Sequence, residues 1–396
     1  MILKYPYPYN AWFTIANDPD NTSIEDWNEL NSFIWKELGL PLSNSLFIKS
    51  YNHNLPAQVN LIDHPEILAQ KHDIIHTWGD YMHSRTKGFD REDAIEACEI
   101  LKKHGVSPLV WIDHSQFEGN LLHSFKNGAI PQTQDASGIV YKNYMYTLDL
   151  VKQVGIRYIW DGDISGIVGQ DRAMSASTYF KSTATSFIKA LVKIILYYAF
   201  PLQRIRKVLK LHLPNNQQYF PYKFPDGNKL YCFRRYGTWK DADIYGLGKI
   251  IAPSKIDELI NNNATLVAYT HLGKRPASKT DLPYHIPDIT KTSLQYIKKK
   301  YHDQELMVST LSELLDYLVI RDNIKYDAVN NLIQLKPDKI RYQKITQADL
   351  SGIKISFNDE KGKMDLKSLK VITLKENLLF DIIKEDAPNI FSIKFK

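Results

Sequence analysis

Strand-like and helix-like segments alternate over roughly the first 320 residues, and this alternation is the strongest constraint on the fold. Short apolar runs such as 11–16 and 265–269 predict buried strands, and the amphipathic stretch 90–104 predicts a helix. Strands that are separated by helices pair in parallel, which indicates an α/β fold. Parallel sheets bind ligands at the carboxyl ends of their strands, so polar residues directly after each strand are candidates for chemistry.

The remaining elements follow from the same patterns. Ser23, Ser254 and Thr310 are predicted helix N-caps, because hydroxyl side chains satisfy exposed backbone amides there. Gly39, Gly105 and Gly155 are expected to end the helices that precede them. The further predicted strands are 45–50, 73–75, 108–112, 157–160 and 307–309, and the further predicted helices are 24–38, 143–154, 254–262, 289–301 and 311–319.

Composition excludes several classes of protein. The chain has 396 residues, of which 44% are hydrophobic and 24% charged, and these ordinary values exclude a disordered or fibrous chain. A net charge of +6 spread over this length predicts no nucleic-acid partner. Two cysteines cannot form a disulfide framework, and neither a signal sequence nor an apolar run of membrane-spanning length is found. We therefore expect a cytoplasmic protein, and the oligomeric state stays open.

Two segments depart from the alternation. Residues 173–239 form a long insertion within the predicted domain 1–322, and residues 323–396 predict a small C-terminal β domain from their short alternating runs. The stretch 187–213 in the insertion is basic and amphipathic. It fits a peripheral membrane contact or a helix packed on the domain, and we favour packing because amphipathic helices usually face a core.

Polar residues cluster where the predicted strands end. Three histidines and two aspartates lie within residues 70–83, and imidazole and carboxylate are ligands that suit Zn²⁺ and related metals. His76 and Asp80 stand four apart, so a helical turn after the strand would bring them to one face. A surface loop that happens to contain histidines is the alternative. The other strand-end candidates are Asn17, Asp18, Asp20, Asp113, His114, Asp161, Asp163 and His271.

Several motifs, taken together, resemble those of a known family. The segment IANDPD after the first strand and the later segment KHDIIHTW resemble the NodB-type polysaccharide deacetylases, carbohydrate esterase family 4. VWIDHS, LVAYTHLG and LMVSTLSELLDYL follow in the family's order. The resemblance covers residues 10–320 apart from the insertion. It implies an irregular (β/α)7 barrel that removes an N-acetyl or other acyl group from a saccharide with the help of a divalent metal.

The resemblance also implies a metal site, but with two departures. It places Asp20 and His76 as ligands of a metal that we expect to be Zn, with Co, Ni or Fe as alternatives. Asp80 stands where the family has its second histidine, so either Asp80 or His83 completes the set. The family's general base and first metal ligand can be matched to this segment in two ways. In the favoured alignment Asp18 is the general base. In the other alignment Asn17 occupies the base position and Asp18 becomes the ligand.

The remaining roles follow from the same resemblance. His271 ends the late strand and corresponds to the general acid, and His114 or Asp113 would orient a catalytic group or bind substrate. The family's arginine motif is not recognisable, so Arg234 or Arg235 is expected to replace it from the insertion. The residues predicted to contact the N-acetylated saccharide are Asn17, Trp78, Asp113, Asp161 and Arg235.

Two other functions fit the same residues. Asp-x-Asp at Asp18 and Asp20 also occurs in glycosyltransferases that hold a sugar nucleotide through a metal, although this reading leaves the histidine cluster unexplained. The departures at Asn17 and Asp80 instead fit a deacetylase-like barrel that has lost its chemistry and only binds glycan. Metal content distinguishes the hydrolase from this binding protein, and dependence on a donor sugar identifies the transferase.

Overall fold

The computed structural model describes most of the chain, and the structural statements below concern that part. The described residues are 2–51, 58–70, 72–81, 89–113, 121, 131–135, 138–141, 147–172, 192, 195, 216–224, 227–276, 283–327, 330–335, 350–359, 362, 364, 366–372 and 377–396. None of the helices in these segments is long and apolar enough to cross a membrane. The basic stretch 187–213, apart from 192 and 195, lies outside them, so its predicted role stays a prediction.

The described residues form seven α-helices and nineteen strands. The helices are α1 Ile24–Leu30, α2 Arg91–Lys103, α3 Leu148–Gln153, α4 Ile244–Ile250, α5 Pro253–Asn261, α6 Asp288–His302 and α7 Leu311–Asn323. Strands of the α/β region are β1 Ala11–Asn17, β2 Ser45–Leu46, β3 Ile74–His76, β4 Val110–Ile112, β5 Pro131–Asp135, β6 Gly138–Tyr141, β7 Tyr158–Trp160, β8 Ile164–Ser165, β9 Tyr219–Lys223, β10 Lys229–Phe233, β11 Arg235–Tyr236, β12 Thr265–Thr270 and β13 Leu306–Val308. Those of the C-terminal region are β14 Ile324–Asp327, β15 Leu332–Leu335, β16 Lys354–Asn358, β17 Lys370–Ile372, β18 Phe380–Lys384 and β19 Ile390–Phe395.

Two mainly parallel sheets form the centre of the α/β region. One sheet has the strand order β13-β1-β12-β11-β8, and the other has β2-β3-β4-β7-β10-β9 with only β9 antiparallel. The predicted α/β class is therefore confirmed. The described strands do not close into one barrel, because the two sheets have separate hydrogen-bond ladders.

Local sequence signals explain where the helices begin and end. Ser23 caps α1 and Thr310 caps α7, each through a reciprocal capping box, as their hydroxyls predict. The predicted cap at Ser254 is wrong: α5 begins one residue earlier at Pro253, whose fixed φ suits the first helical position, and Ala252 precedes it. The helix predicted over 24–38 is α-helical only to Leu30 and continues as a π-helical segment, Asn31–Glu37.

The C-terminal region consists of two three-stranded sheets, β14-β15-β17 and β16-β19-β18. It packs directly on the α/β region: buried side chains such as Ile355 and Phe391 belong to the same hydrophobic core as Tyr158 on β7. The N-terminal segment joins this contact, since the Leu3 amide donates to the carbonyl of Ser356 at 2.8 Å. β14 begins at the residue after α7, so the two regions are joined without a linker.

Candidate functional site

The pairing of β1 with β12 brings residues from distant parts of the chain together. The two strands run parallel with Asn17 opposite Thr270, and the Asp18 amide donates to the Thr270 carbonyl at 2.8 Å. Asp18 and His271, the next residues along each strand, therefore leave the sheet side by side. This is the carboxyl edge, where we expected the candidate residues to converge.

A buried ion pair lies at this edge. Arg235, the first residue of β11, donates from Nη1 to Asp18 Oδ1 at 2.7 Å, and both side chains have 0% exposure. The guanidinium also stacks on Trp160 at 3.7 Å from the ring centroid. A carboxylate without solvent needs such a counter-charge, because transfer of an unpaired anion into the interior is costly. Arg234, the alternative, instead donates to Asp163 Oδ2 at 3.0 Å.

His271 faces two carboxylates through a single nitrogen. Its Nδ1 lies 2.7 Å from the Ala242 carbonyl, which only accepts hydrogen bonds, so Nδ1 carries a proton. Nε2 is 3.2 Å from Asp20 Oδ2 and 3.7 Å from Asp18 Oδ2. The backbone bond therefore leaves Nε2 as the ring nitrogen that faces the two carboxylates.

Asp20 is the exposed member of this group, with 34% of its side chain accessible, whereas Asp18 is fully enclosed. Partial burial acts to raise the pKa of the Asp20 carboxyl, but His76 and His271 outweigh it and hold that pKa well below the usual range. Asp20 is therefore an anion at neutral pH. His76, the last residue of β3, acts on the Asp20 carboxyl through its charge. We call Asp18, Asp20, His76, Arg235 and His271 the carboxyl-end cluster.

Two small features hold the loops of the cluster. Asn17 is buried and donates from Nδ2 to Asn44 Oδ1, and its Oδ1 accepts from the Leu272 amide, both at 2.7 Å. A Cβ at Gly273 would collide with Thr22, so only glycine allows the loops after β1 and β12 to approach this closely. Asn17, predicted as a substrate contact or as the residue at the base position, thus connects these loops.

Asp80 does not share a helical face with His76, so that expectation is wrong. Thr77 has a positive φ of 55°, residues 77–78 form a bend rather than a helical turn, and Asp80 then bridges Ser50 in parallel. Gln58 connects Asp80 to the cluster: its Nε2 donates to Asp80 Oδ2 at 3.1 Å, and its Oε1 accepts from the amide of Asn21 at 2.8 Å. Asp80 is therefore linked through one amide side chain to the residue that follows Asp20.

The other predicted residues occupy several positions. Trp78 is fully buried, and its indole donates to Thr147 Oγ1 at 2.8 Å, so it packs inside the core. Asp113 is buried and accepts from the indole of Trp111 at 3.1 Å. Asp161 follows the last residue of β7 and is half-buried. His83 and His114 lie outside the described residues, so their predicted roles stay predictions.

Gln58 and the carbonyl of Ala242 were not predicted from the sequence. Gln58 is a buried amide in a stretch without a motif, and Ala242 contributes only its backbone. No residue pattern marks either of them, because their roles arise from the approach of loops that are distant in sequence. Within the described segments, no group of three or more His, Cys, Asp or Glu side chains could hold a metal ion.

A second polar site lies at the opposite edge of the sheets. A cleft of about 250 Å³ is lined by residues that include Gln218, Tyr219 and Arg321. Gln218 Oε1 accepts from Thr265, the first residue of β12, which places the cleft at the amino ends of the strands. Sites of parallel sheets form at the carboxyl ends, so we assign the candidate site to the carboxyl-end cluster.

Comparisons of the chain with protein-family models, with curated proteins and with solved structures find no match. The functional argument therefore depends on the chemistry of the carboxyl-end cluster. Its distinguishing property is the combination of a buried, charge-compensated carboxylate, a partly exposed carboxylate and a histidine whose tautomer is fixed.

Proposed function

We propose that the protein is a metal-dependent hydrolase that removes an N-acetyl group from a sugar of a polysaccharide or glycan precursor. The observation that carries the proposal is the position of His271 Nε2, 3.2 Å from Asp20 and 3.7 Å from Asp18. Amide hydrolysis needs a group that accepts the proton of water and one that protonates the leaving amine. A carboxylate and a histidine that face each other at one sheet edge supply these two groups.

The metal would be held by Asp20 and His76, with His83, which lies outside the described residues, as the third ligand. Asp80, the other candidate for that position, forms no three-ligand group with them among the described residues. A partly exposed carboxylate that stays ionised and a neighbouring imidazole are donor types that fit Zn²⁺, or Co²⁺, Ni²⁺ or Fe²⁺ in its place. When bound, such an ion would polarise the acyl carbonyl as a Lewis acid. Gln58, which connects Asp80 to the loop of Asp20, would keep the Asp80 carboxylate oriented.

The protein's own groups move the protons. Asp18 Oδ2, 3.7 Å from His271 Nε2, is assigned to take the proton from water. The water oxygen bonds to the carbonyl carbon, the C–N bond breaks, and acetate leaves. His271 Nε2 gives its proton to the sugar amine, while the Ala242 carbonyl holds the ring in position through Nδ1.

We also propose that the two sheets together correspond to the irregular (β/α)7 barrel implied by the resemblance. One hydrogen bond and one short chain connection between the sheets support this arrangement. Ser45 of β2 donates to the carbonyl of Asn17 on β1, and a single residue, Arg234, separates β10 of one sheet from β11 of the other. The sheets thus approach each other at both places without sharing a continuous ladder.

The experiment is acetate release from N-acetylated oligosaccharides by the metal-loaded protein and by Asp18→Asn. We expect wild type to release acetate and Asp18→Asn to lose activity by about 10²–10⁴-fold, because the amide cannot take up the proton. Asp171→Asn is the control, since Asp171 pairs with Arg321 away from the cluster, and it should keep its activity.

Failure of wild type to release acetate with Zn²⁺, Co²⁺, Ni²⁺ or Fe²⁺ would overturn the hydrolase. Saccharide binding without turnover would then support the glycan-binding alternative. Activity that requires a sugar nucleotide would support the transferase. Equal loss of activity in Asp18→Asn and Asp171→Asn would show that Asp18 acts only through stability.

A further inference from the structure

Trp239 is an exposed tryptophan beside the carboxyl-end cluster. It begins a short 3₁₀ turn, Trp239–Asp241, and 59% of its surface is accessible. Tryptophan is one of the more buried residue types on average, so this degree of exposure needs a reason. Single exposed apolar residues are common in proteins, and the case for Trp239 depends on its neighbours.

The backbone that carries Trp239 is a short, capped turn. Thr238 caps the turn by accepting from the Asp241 amide at 3.1 Å. Gly237, which precedes it, has a φ of +149°, and an added Cβ would lie 3.5 Å from the Tyr269 carbonyl. The tryptophan is therefore presented by a short, capped connection rather than by a long loop.

An aromatic series connects Trp239 to the reacting groups. Its ring lies edge-on to Tyr269 at 5.4 Å between centroids and 6.2 Å from Trp160. Tyr269 in turn packs against His271 at 5.4 Å, and Trp160 stacks under the Arg235 guanidinium. One side of the indole is thus supported by rings that also contact the cluster, and the rest of the side chain faces solvent.

We propose that Trp239 is a saccharide-binding platform that takes the apolar face of a pyranose ring next to the sugar that reacts. A rigid aromatic side chain gives a large apolar area at low cost in conformational entropy, and sugar rings present C–H groups on one face. The inference rests on the proposed function and adds to it a preference for an extended saccharide over a monosaccharide. Trp239 is a substrate-positioning residue, because it lies two ring contacts away from His271 Nε2.

The test measures binding of tetra-N-acetylchitotetraose and of N-acetylglucosamine by calorimetry, without turnover, in the His271→Gln background. We expect Trp239→Ala to weaken tetrasaccharide binding about tenfold and to leave monosaccharide binding within about twofold, since only the longer ligand reaches the platform. Trp239→Phe should restore most of the affinity. Leu379→Ala, at a residue 65% exposed in the C-terminal region, is the matched control and should bind as the background does.

The outcomes separate this inference from the hydrolase. The platform is overturned if Trp239→Ala leaves the tetrasaccharide affinity of the His271→Gln protein unchanged. It is also overturned if the His271→Gln protein does not bind the tetrasaccharide at millimolar concentration. Binding that depends on Trp239, combined with no acetate release by wild type, would uphold the platform and reject the hydrolysis. Acetate release that is unaffected by Trp239→Ala would uphold the hydrolysis and reject the platform.

Discussion

Two arginine–aspartate pairs lie at opposite edges of the sheets, and they differ in how fully the arginine is satisfied. Arg321 at the amino edge donates to both oxygens of Asp171, at 2.8 and 3.2 Å, and also to Asp322 and to the Lys4 carbonyl. The Arg235 guanidinium at the carboxyl edge donates to Asp18 through Nη1, and among the described residues its Nε and Nη2 have no hydrogen-bond partner.

The two ion pairs also differ in their surroundings. Burial alone would lower the pKa of Arg321, but its hydrogen bonds to Asp171 and the charges of both aspartates raise that pKa further above its normal range. The Arg321 pair is also partly solvated, with 12% of the Arg321 side chain and 18% of the Asp171 side chain exposed, whereas the side chains of Arg235 and Asp18 have 0% exposure. Proteins retain an incompletely satisfied buried charge mainly where function requires it. The incomplete pairing of Arg235 is therefore consistent with the chemistry that we propose for Asp18.

The largest effect we expect is on stability. Arg235→Met should lower the free energy of unfolding by about 3–5 kcal/mol, because it removes the guanidinium that pairs with the fully buried Asp18 carboxylate. Arg321→Met should cost less, about 1–3 kcal/mol, since solvent reaches Asp171 and replaces part of the lost hydrogen bonding. Urea denaturation of both variants measures the difference. If Arg321→Met loses more unfolding free energy than Arg235→Met, the proposed difference between the two ion pairs is wrong.

A double variant sharpens the same comparison. Asp18→Asn removes the charge that pairs with Arg235, so the double variant should recover a substantial part of the stability lost by Arg235→Met alone. The coupling free energy from the double-mutant cycle is the quantity measured. Additive losses in the cycle would show that Arg235 stabilises the protein through its stacking on Trp160 rather than through the charge of Asp18.

The smallest expected effect is on the acid side of the stability curve. The Asp20 pKa is depressed in the folded protein by His76 and His271, against the opposing influence of burial and of Asp18. A depressed carboxyl pKa contributes stability above the unfolded value, near pH 4, that is lost as the pH falls through the folded value. The free energy of unfolding of wild type should exceed that of Asp20→Asn by no more than about 1 kcal/mol, since Asp20 is partly solvated. This difference should vanish in acid. A difference that persists unchanged to pH 2 would contradict this linkage.

Local features of the fold were predictable from the sequence, because they depend on neighbours in the chain. The strand predicted over 11–16 is β1, and the helix predicted over 90–104 is α2 with Asp90 as its cap. Gly105, with a positive φ of 65°, ends that helix as expected. The two wrong predictions, at Ser254 and after His76, also have local reasons: Pro253 takes the first helical position, and Thr77 adopts a positive φ that no helical turn accommodates.

The arrangement of the candidate site was only partly predictable. Asp18, Asp20, His76 and His271 were identified because each lies at or near a strand end, and strand ends of parallel sheets converge. The contact between Asp18 and Arg235 spans 217 positions and depends on the order β1-β12-β11, which no local pattern contains. The role of Gln58 was missed for the same reason. Long-range pairing therefore marks the limit of prediction here.

The most direct test of the central claim is the metal content of the purified protein. We predict roughly one ion of Zn²⁺, Co²⁺, Ni²⁺ or Fe²⁺ per chain by mass spectrometry after reconstitution, and its loss in His76→Ala but not in His302→Ala, at an exposed histidine on the last turn of α6. No bound metal in wild type, or equal retention in His76→Ala, would contradict the assignment of the carboxyl-end cluster as a hydrolytic metal site.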